Sequence, residues 1–133
     1  MNELIDPYIE IYEHVFKLSE ALGYSTFDYL PDDGIKYPFV FVGEQFSEDY
    51  RTKTLMRGET NLIIHVYSHE RQRRTINTMM AFLNQAINNI NYTDHFKWEV
   101  TGNKIHSLYE NDKSNPLVHG IFDITLNFLG KGE

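Results

Sequence analysis

The sequence predicts a single α+β domain over residues 1–133, in which two helices pack on a largely antiparallel sheet of about four strands. Two segments repeat apolar residues at three- and four-residue steps, as a helix with one buried face does. Four other segments are rich in β-branched and aromatic residues and alternate in polarity, as strands do. The segments follow in the order helix-strand-strand-helix-strand-strand, with hairpin-like connections between successive strands.

The first helix is predicted to begin beside Asp6, whose side chain can cap it, with Pro7 at the first helical position. Gly23 is a natural stop, since glycine accepts a left-handed backbone. One face carries the apolar stripe Tyr8, Ile11, Tyr12, Val15, Leu18 and Leu22.

The first predicted strand runs from about Tyr37 to Gln45, after a turn at 31–34. Both of its faces are apolar, which predicts that it is covered on both sides. A second strand is predicted from about Asn61 to Tyr67. Residues 46–59 between them show no clean period and mix charges of both signs, so we interpret them as a long hairpin arm or a loop. Long segments of this kind are usually functional.

The second helix is predicted to open at Ser68 and to bury the stripe Ile76, Met79, Met80, Leu83, Ile87 and Ile90. Arg71, Arg73 and Arg74 crowd its first turns, where the helix dipole disfavours cations. This placement indicates either an acidic partner or a solvated face. The Met79–Met80 pair is interpreted as core packing.

The last two strands are predicted at about 96–110 and 119–128. The first is either one long strand or a pair of short ones, broken near Gly102. In the second, apolar and polar residues alternate cleanly, which predicts one face in the core. The predicted inward side chains are Phe122, Ile124, Leu126 and Phe128.

The net charge of -7 disfavours a general nucleic-acid binder, which should be basic. The charge is unevenly distributed, with 11 acidic and 2 basic side chains in residues 1–50, and 6 basic and 2 acidic ones in residues 51–74. The chain has no cysteine, which favours a reducing compartment. No secretory signal and no apolar run of membrane-spanning length is visible, so we expect no membrane partner.

No set of residues is spaced for catalysis, so we expect a structural or binding protein with no cofactor. His65 and His69 are four apart, but the strand that ends between them disfavours a metal site, and interface or surface histidines are the better interpretation. Asp32 and Asp33 are interpreted as turn residues. The enzymatic alternative is a metal-dependent nuclease that uses this aspartate pair and a histidine.

With these elements the chain resembles the tail-completion proteins of long-tailed bacteriophages, also called tail terminator or head-to-tail joining proteins. The resemblance spans nearly the whole length and rests on chain size, element order and three stretches. These are residues 37–44 (Tyr-Pro-Phe-Val-Phe-Val-Gly-Glu), 63–68 (Ile-Ile-His-Val-Tyr-Ser) and 120–126 (Gly-Ile-Phe-Asp-Ile-Thr-Leu).

The resemblance implies a virion protein, made in the bacterial host cytoplasm, that forms a ring at the head-proximal end of the tail tube. The ring, a hexamer in this family, stops tube growth and offers the surface that joins the head. Its implied partners are further copies of itself, the tail tube protein and the head-completion or connector protein, and DNA passes through without sequence-specific binding. The alternatives are another neck adaptor or connector and a small ferredoxin-like binding module.

The uneven charge suits such a ring, because a closed ring joins two different patches of each protomer. We expect the arm at 46–59 to lie at the subunit contact or to line the channel and to order on assembly. The predicted interface or channel residues are Glu48, Asp49, Tyr50, Arg51, Lys53, Arg57, Arg71, Arg73 and Arg74.

Overall fold

A computed structural model of the chain describes residues 4–32, 35–51, 56–112 and 115–131. Within them lie two α-helices, five strands and one 3₁₀ turn at Glu70–Gln72. The helices are α1 (Pro7–Ala21) and α2 (Arg73–Asn88). The strands are β1 (Thr26–Phe27), β2 (Phe39–Arg51), β3 (Met56–His69), β4 (Phe96–Asp112) and β5 (Asn115–Lys131).

The strands form one sheet in the order β1-β2-β3-β5-β4. All neighbouring pairs are antiparallel except the short parallel pair between β1 and β2. The predicted α+β class is therefore confirmed, with five strands where about four were predicted. The additional strand is two residues long, which is too short to show an alternating pattern in the sequence.

Helix α1 begins as predicted, because the Asp6 carboxylate accepts hydrogen bonds from the backbone N–H groups of Tyr8 (2.8 Å) and Ile9 (3.1 Å). The chain leaves the helix through Gly23, whose φ of 93° is in the left-handed region that favours glycine. Ile11 and Val15 are buried against the sheet.

The prediction that the second helix opens at Ser68 is wrong. Ser68 still pairs with Val118 in the sheet, and α2 begins only at Arg73 after the 3₁₀ turn. The Ser68 hydroxyl, which could have capped a helix, is buried and donates to the Gln72 side chain (3.0 Å). The predicted apolar stripe is confirmed, since Ile76, Met79, Met80, Leu83, Ile87 and Ile90 are all buried.

Residues 46–51 and 56–59 continue β2 and β3 as a paired hairpin, with Phe46 opposite Asn61 and Arg51 opposite Met56. The sequence shows no alternation of apolar and polar residues here, because in this part of the hairpin the buried side chains are polar. Thr60 is fully buried, and its hydroxyl bonds to the side chains of Gln45 (3.1 Å) and Ser47 (2.8 Å). Residues 52–55 of the predicted arm lie outside the described residues.

The last two strands form a second long hairpin. β4 is one strand with an irregularity between Val100 and Gly102, so the single-strand alternative is correct. β5 is longer than predicted. Its predicted inward residues Phe122, Ile124, Leu126 and Phe128 are all buried, and Trp98 of β4 packs edge-on against Phe128.

Both helices cover the same face of the sheet, and the core lies between them and that face. The other face carries no helix among the described residues. Within those residues, neither helix is long and apolar enough to cross a membrane.

Candidate functional site

Four ionisable side chains form a continuous hydrogen-bonded row across the helix-free face, and we call this row the His/Glu chain. Glu44 Oε1 lies 2.8 Å from His65 Nε2, and His65 Nδ1 lies 2.7 Å from His119 Nε2. His119 Nδ1 in turn lies 2.7 Å from Glu110 Oε1. The row therefore joins β2, β3, β5 and β4 in the order in which they lie in the sheet.

Strand register places these side chains together. His65 is opposite Ile121, so His119 is its diagonal neighbour on the same face, and Glu110 is diagonal to His119 in the same way. Glu44 reaches His65 from a bulge, where the two residues Gly43 and Glu44 lie between the paired residues on either side. A side chain at Gly43 would approach the His65 ring to 3.2 Å, so glycine leaves room for the imidazole.

The two imidazoles are sheltered, whereas the two carboxylates reach solvent. The side chains of His65 and His119 are 12% and 7% exposed, against 55% for Glu44 and 41% for Glu110. Stacked rings provide the shelter. Phe41 lies on His65 with centroids 5.3 Å apart, and Tyr67 lies on His119 at 4.2 Å.

The row has a definite proton requirement. Its three hydrogen bonds need three protons when both carboxylates are ionised, because carboxylates only accept. Two neutral imidazoles supply two protons between them. The complete row therefore needs one proton more than two neutral histidines supply.

The electrostatics of the row follow from burial and from its own partners. The hydrogen bond from His65 lowers the pKa of Glu44, although partial burial opposes it. Burial lowers the pKa of His119, and the carboxylate of Glu110 only partly offsets this, while His65 and His106 add to it. Burial and the nearby carboxylates of Glu110 and Glu44 raise the pKa of Tyr67 to about 12.

Chemically, the His/Glu chain is suited to holding strands together. Each of its four ring nitrogens already has a partner, so a ring could ligate a metal or take a proton from a substrate only by breaking the row. Within the described residues no group of three or more His, Asp and Glu side chains could hold a metal ion. His119 is buried, because its ring lies under that of Tyr67.

The predicted site residues of the arm lie along the β2–β3 hairpin. Glu48, Asp49, Tyr50 and Arg57 are exposed there, and Tyr50 pairs directly with Arg57. The hydroxyl of Tyr8 on α1 donates to the carbonyl oxygen of Glu48 (3.1 Å) and to the Asp49 carboxylate, so the helix holds this part of the hairpin. The backbone of Arg51 ends β2, and Lys53 lies outside the described residues, as does Asp33 of the predicted turn.

The structure does not bring the remaining predicted residues to the arm. β3 continues for twelve residues beyond Arg57, which is about 40 Å along an extended strand. The three arginines Arg71, Arg73 and Arg74 come after that other end of β3. Arg71 and Arg74 are exposed, and the Arg73 guanidinium lies over the ring of Tyr109 at 5.2 Å. The predicted residues whose side chains are described therefore lie on two separate surfaces, at opposite ends of β3.

A groove of about 580 Å³ runs beside α1, between this helix and the sheet edge formed by β1 and β2. Its apolar part comes from Ile9, Tyr12 and Phe16 of α1. Its charged rim holds three acids and one base, which are Glu13, Glu20, Asp28 and Lys17.

Sequence reasoning missed both the His/Glu chain and the groove. The alternation of apolar and polar residues places both His65 and His119 on the outward face of their strands. This alternation is the one feature of the sequence that points to their sharing a face. Nothing in the sequence fixes that β3 pairs with β5, or that the pairing brings these two residues to neighbouring rows. The groove depends on where α1 crosses the sheet edge, which the sequence does not specify either.

No protein-family model and no curated protein matches the chain. Among solved structures, the chain is similar to one from the virion of a native gene transfer agent particle. The TM-score is 0.58 with 14% identity, over 91% of this chain and 92% of that chain. The two chains share a fold. At this identity the likeness extends over the whole domain but does not reach individual side chains.

Proposed function

We propose that this chain is a structural protein of a phage-like virion, and more specifically that it forms a ring that ends the tail tube and joins it to the head. The observation that carries the proposal is the likeness to a chain of a gene transfer agent virion, which spans more than nine tenths of both chains. The resemblance of the sequence to tail-completion proteins supports the same role independently.

The sheet supplies two different free edges, as a ring of identical subunits needs. β4 is an outer strand of 17 residues, and no described strand lies beyond it. Tyr92 forms an isolated bridge with its residue Lys97. β1 covers only Val40 and Phe41 of β2, so residues 44–51 form a second edge. A closed ring joins unlike surfaces of neighbouring copies, and an uncovered strand edge is a ready contact for another chain.

The proposed ring uses the exposed hairpin as a contact or as part of the channel wall. Glu48, Asp49, Tyr50 and Arg57 are accessible there, and tyrosine and arginine are common at the energetic centres of interfaces. The proposed partners are other copies of the chain, the tail tube protein and the head-completion or connector protein, while DNA passes without sequence readout. The proposal includes no catalytic step and no cofactor.

Electron microscopy of the purified protein, alone and mixed with tail tubes, tests this function. We expect rings of one fixed symmetry, with a ring bound at a single end of each tube and no further tube growth at that end. Rings that bind the head connector but ignore tubes would indicate a neck adaptor instead. A monomer that binds neither tubes nor connectors would contradict the proposal.

A further inference from the structure

The groove beside α1 has the composition of a protein-binding surface rather than that of a small-molecule site. Its apolar floor includes Ile9, which is 50% exposed, and its rim carries Glu13, Glu20 and Asp28 against one cation, Lys17. A volume of about 580 Å³ is large enough to hold two or three bulky side chains from a partner. The net negative rim selects a basic partner.

The same chain carries a basic surface for which the described side chains provide no matching acid. Arg71 lies in the 3₁₀ turn, and Arg73 and Arg74 open α2. Among the described side chains, no carboxylate makes an ion pair with any of the three. The first turn of α2 has no acidic residue and its N-cap residue makes no side-chain hydrogen bond, so the helix dipole adds to the positive charge. Tyr109 stands beside Arg73 and is 61% exposed. We call these three arginines with Tyr109 the arginine turn.

The groove and the arginine turn lie on opposite flanks of one domain. α1 packs on β1 and β2, at one edge of the sheet. Tyr109 belongs to β4, which is the opposite edge. Unlike surfaces on opposite flanks are what a head-to-tail contact between copies requires.

We propose that the groove beside α1 of one copy receives the arginine turn of the next copy. Arg74 and Arg71 lie against the acidic rim, and the Tyr109 ring with the stem of Arg73 covers the apolar floor. The proposal rests on the ring assembly proposed above and names its subunit contact. It places that contact in the helix layer, where it adds to the contact proposed for the β2–β3 hairpin.

Cross-linking with matched single-cysteine variants tests the contact directly, because the natural chain has no cysteine. Glu20→Cys and Arg74→Cys are mixed and treated with a short bismaleimide. The control mixtures are Glu20→Cys with Gln85→Cys, and Arg74→Cys with Gln85→Cys, since Gln85 is an exposed residue near the far end of α2, outside both surfaces and outside the free strand edges. We expect the mixed dimer in the first mixture to exceed both controls several-fold. Equal yields, or a product of Glu20→Cys with itself, would overturn the proposal.

Charge exchange tests whether the contact contributes to assembly. Glu20→Lys and Arg74→Glu should each raise the dissociation constant of self-association about tenfold or more, because like charges then face each other. The double variant should recover most of this loss, while Gln85→Lys and Gln85→Glu should leave the constant unchanged. If both single variants assemble like the natural chain, the contact lies elsewhere, although the ring function stands. If cross-linking supports the contact but no ring forms on tubes, the tail-completion function fails instead.

Discussion

His65 Nδ1 lies 2.7 Å from Nε2 of His119, and this contact joins the two central hairpins of the sheet. β2 pairs with β3 and β4 pairs with β5, so the β3–β5 ladder is the seam between two locally formed units. Carboxylates at both ends, Glu44 and Glu110, anchor the pair of rings to the outer strand of each hairpin. The row thus ties the two hairpins together by side chains as well as by backbone.

The proton requirement of this row leads to a first prediction. At pH 7.5, where burial holds the pKa of His119 below its usual value, His65 and His119 together should carry two imidazole N–H protons, and the third one that completes the row should appear only as the pH falls. Nitrogen-detected NMR of histidine-labelled protein counts them. Glu110→Gln serves as the comparison. Without the Glu110 carboxylate, which raises the pKa of His119, the third proton should appear only at a lower pH. Three imidazole N–H protons in the natural chain at pH 7.5 would contradict this expectation.

Acid should destabilise the fold through His119. Because its folded-state pKa lies below the usual value of 6.5, the unfolded chain binds more protons as the pH falls through 6.5, and stability falls with it. When both rings carry an additional proton, neither keeps a nitrogen lone pair to accept the hydrogen bond between His65 and His119. Glu44, whose folded-state pKa is lowered, likewise makes the protein less stable as the pH falls below the usual pKa of 4.5. Its contribution is present above that pH and is lost as the pH falls through the folded-state pKa.

Urea unfolding between pH 7.5 and 5 measures this effect. In His119→Gln we expect a shallower loss of unfolding free energy with pH than in the natural chain. His14, whose pKa burial also lowers, still contributes in that variant, so the slope should fall without reaching zero. Ile124→Val is the control, since it weakens the core without removing a titrating group. An unchanged slope in His119→Gln would refute the assignment.

Gly58→Ala should destabilise the protein by about 1–3 kcal/mol, because it overpacks a tight contact. A Cβ at this position would lie 2.6 Å from the Phe128 ring and 3.0 Å from the Glu48 carbonyl oxygen, and would also displace the Tyr8 hydroxyl. Gly102→Ala is the matched control, as its nearest neighbour would be Thr125 at an ordinary 3.5 Å. Thermal unfolding compares the two, and equal stability of both variants would contradict the prediction.

Charge reversal on the hairpin tests whether the arm takes part in assembly. Changing Arg51, Lys53 and Arg57 together to Glu should leave the fold intact, because Arg57 is exposed. Ring formation, measured by native mass spectrometry, should be lost, and circular dichroism should stay that of the natural chain. Should tails carrying the triple variant terminate and join heads normally, the arm has no such role.

Hydrogen exchange distinguishes a hairpin that orders only on assembly from one that is already formed in the free protein. The ladder from Phe46 opposite Asn61 to Arg51 opposite Met56 predicts measurable amide protection in the free protein. Protection that increases in assembled rings would support a contact at the arm. Equal protection in both states would argue against its ordering on assembly.

The sequence by itself determined the class of the fold, the start of the first helix, and the buried faces of α2 and β5. Asp6 and Pro7 start α1 through a local cap, and the stripe from Ile76 to Ile87 follows from the helical period alone. The inward side chains of β5 follow from alternation in the same way. These features depend on residues a few positions apart, so local chemistry specifies them.

The tertiary structure decided what depends on residues far apart in the chain. The His/Glu chain needs the β3–β5 register, which sets His65 beside His119 across 54 positions, and a bulge that turns Glu44 towards them. The separation of Arg57 from Arg71, Arg73 and Arg74 likewise follows from the length of β3, which local polarity concealed. Strand pairing and helix placement are set by the summed packing of the whole sheet, and no short stretch of sequence contains that information.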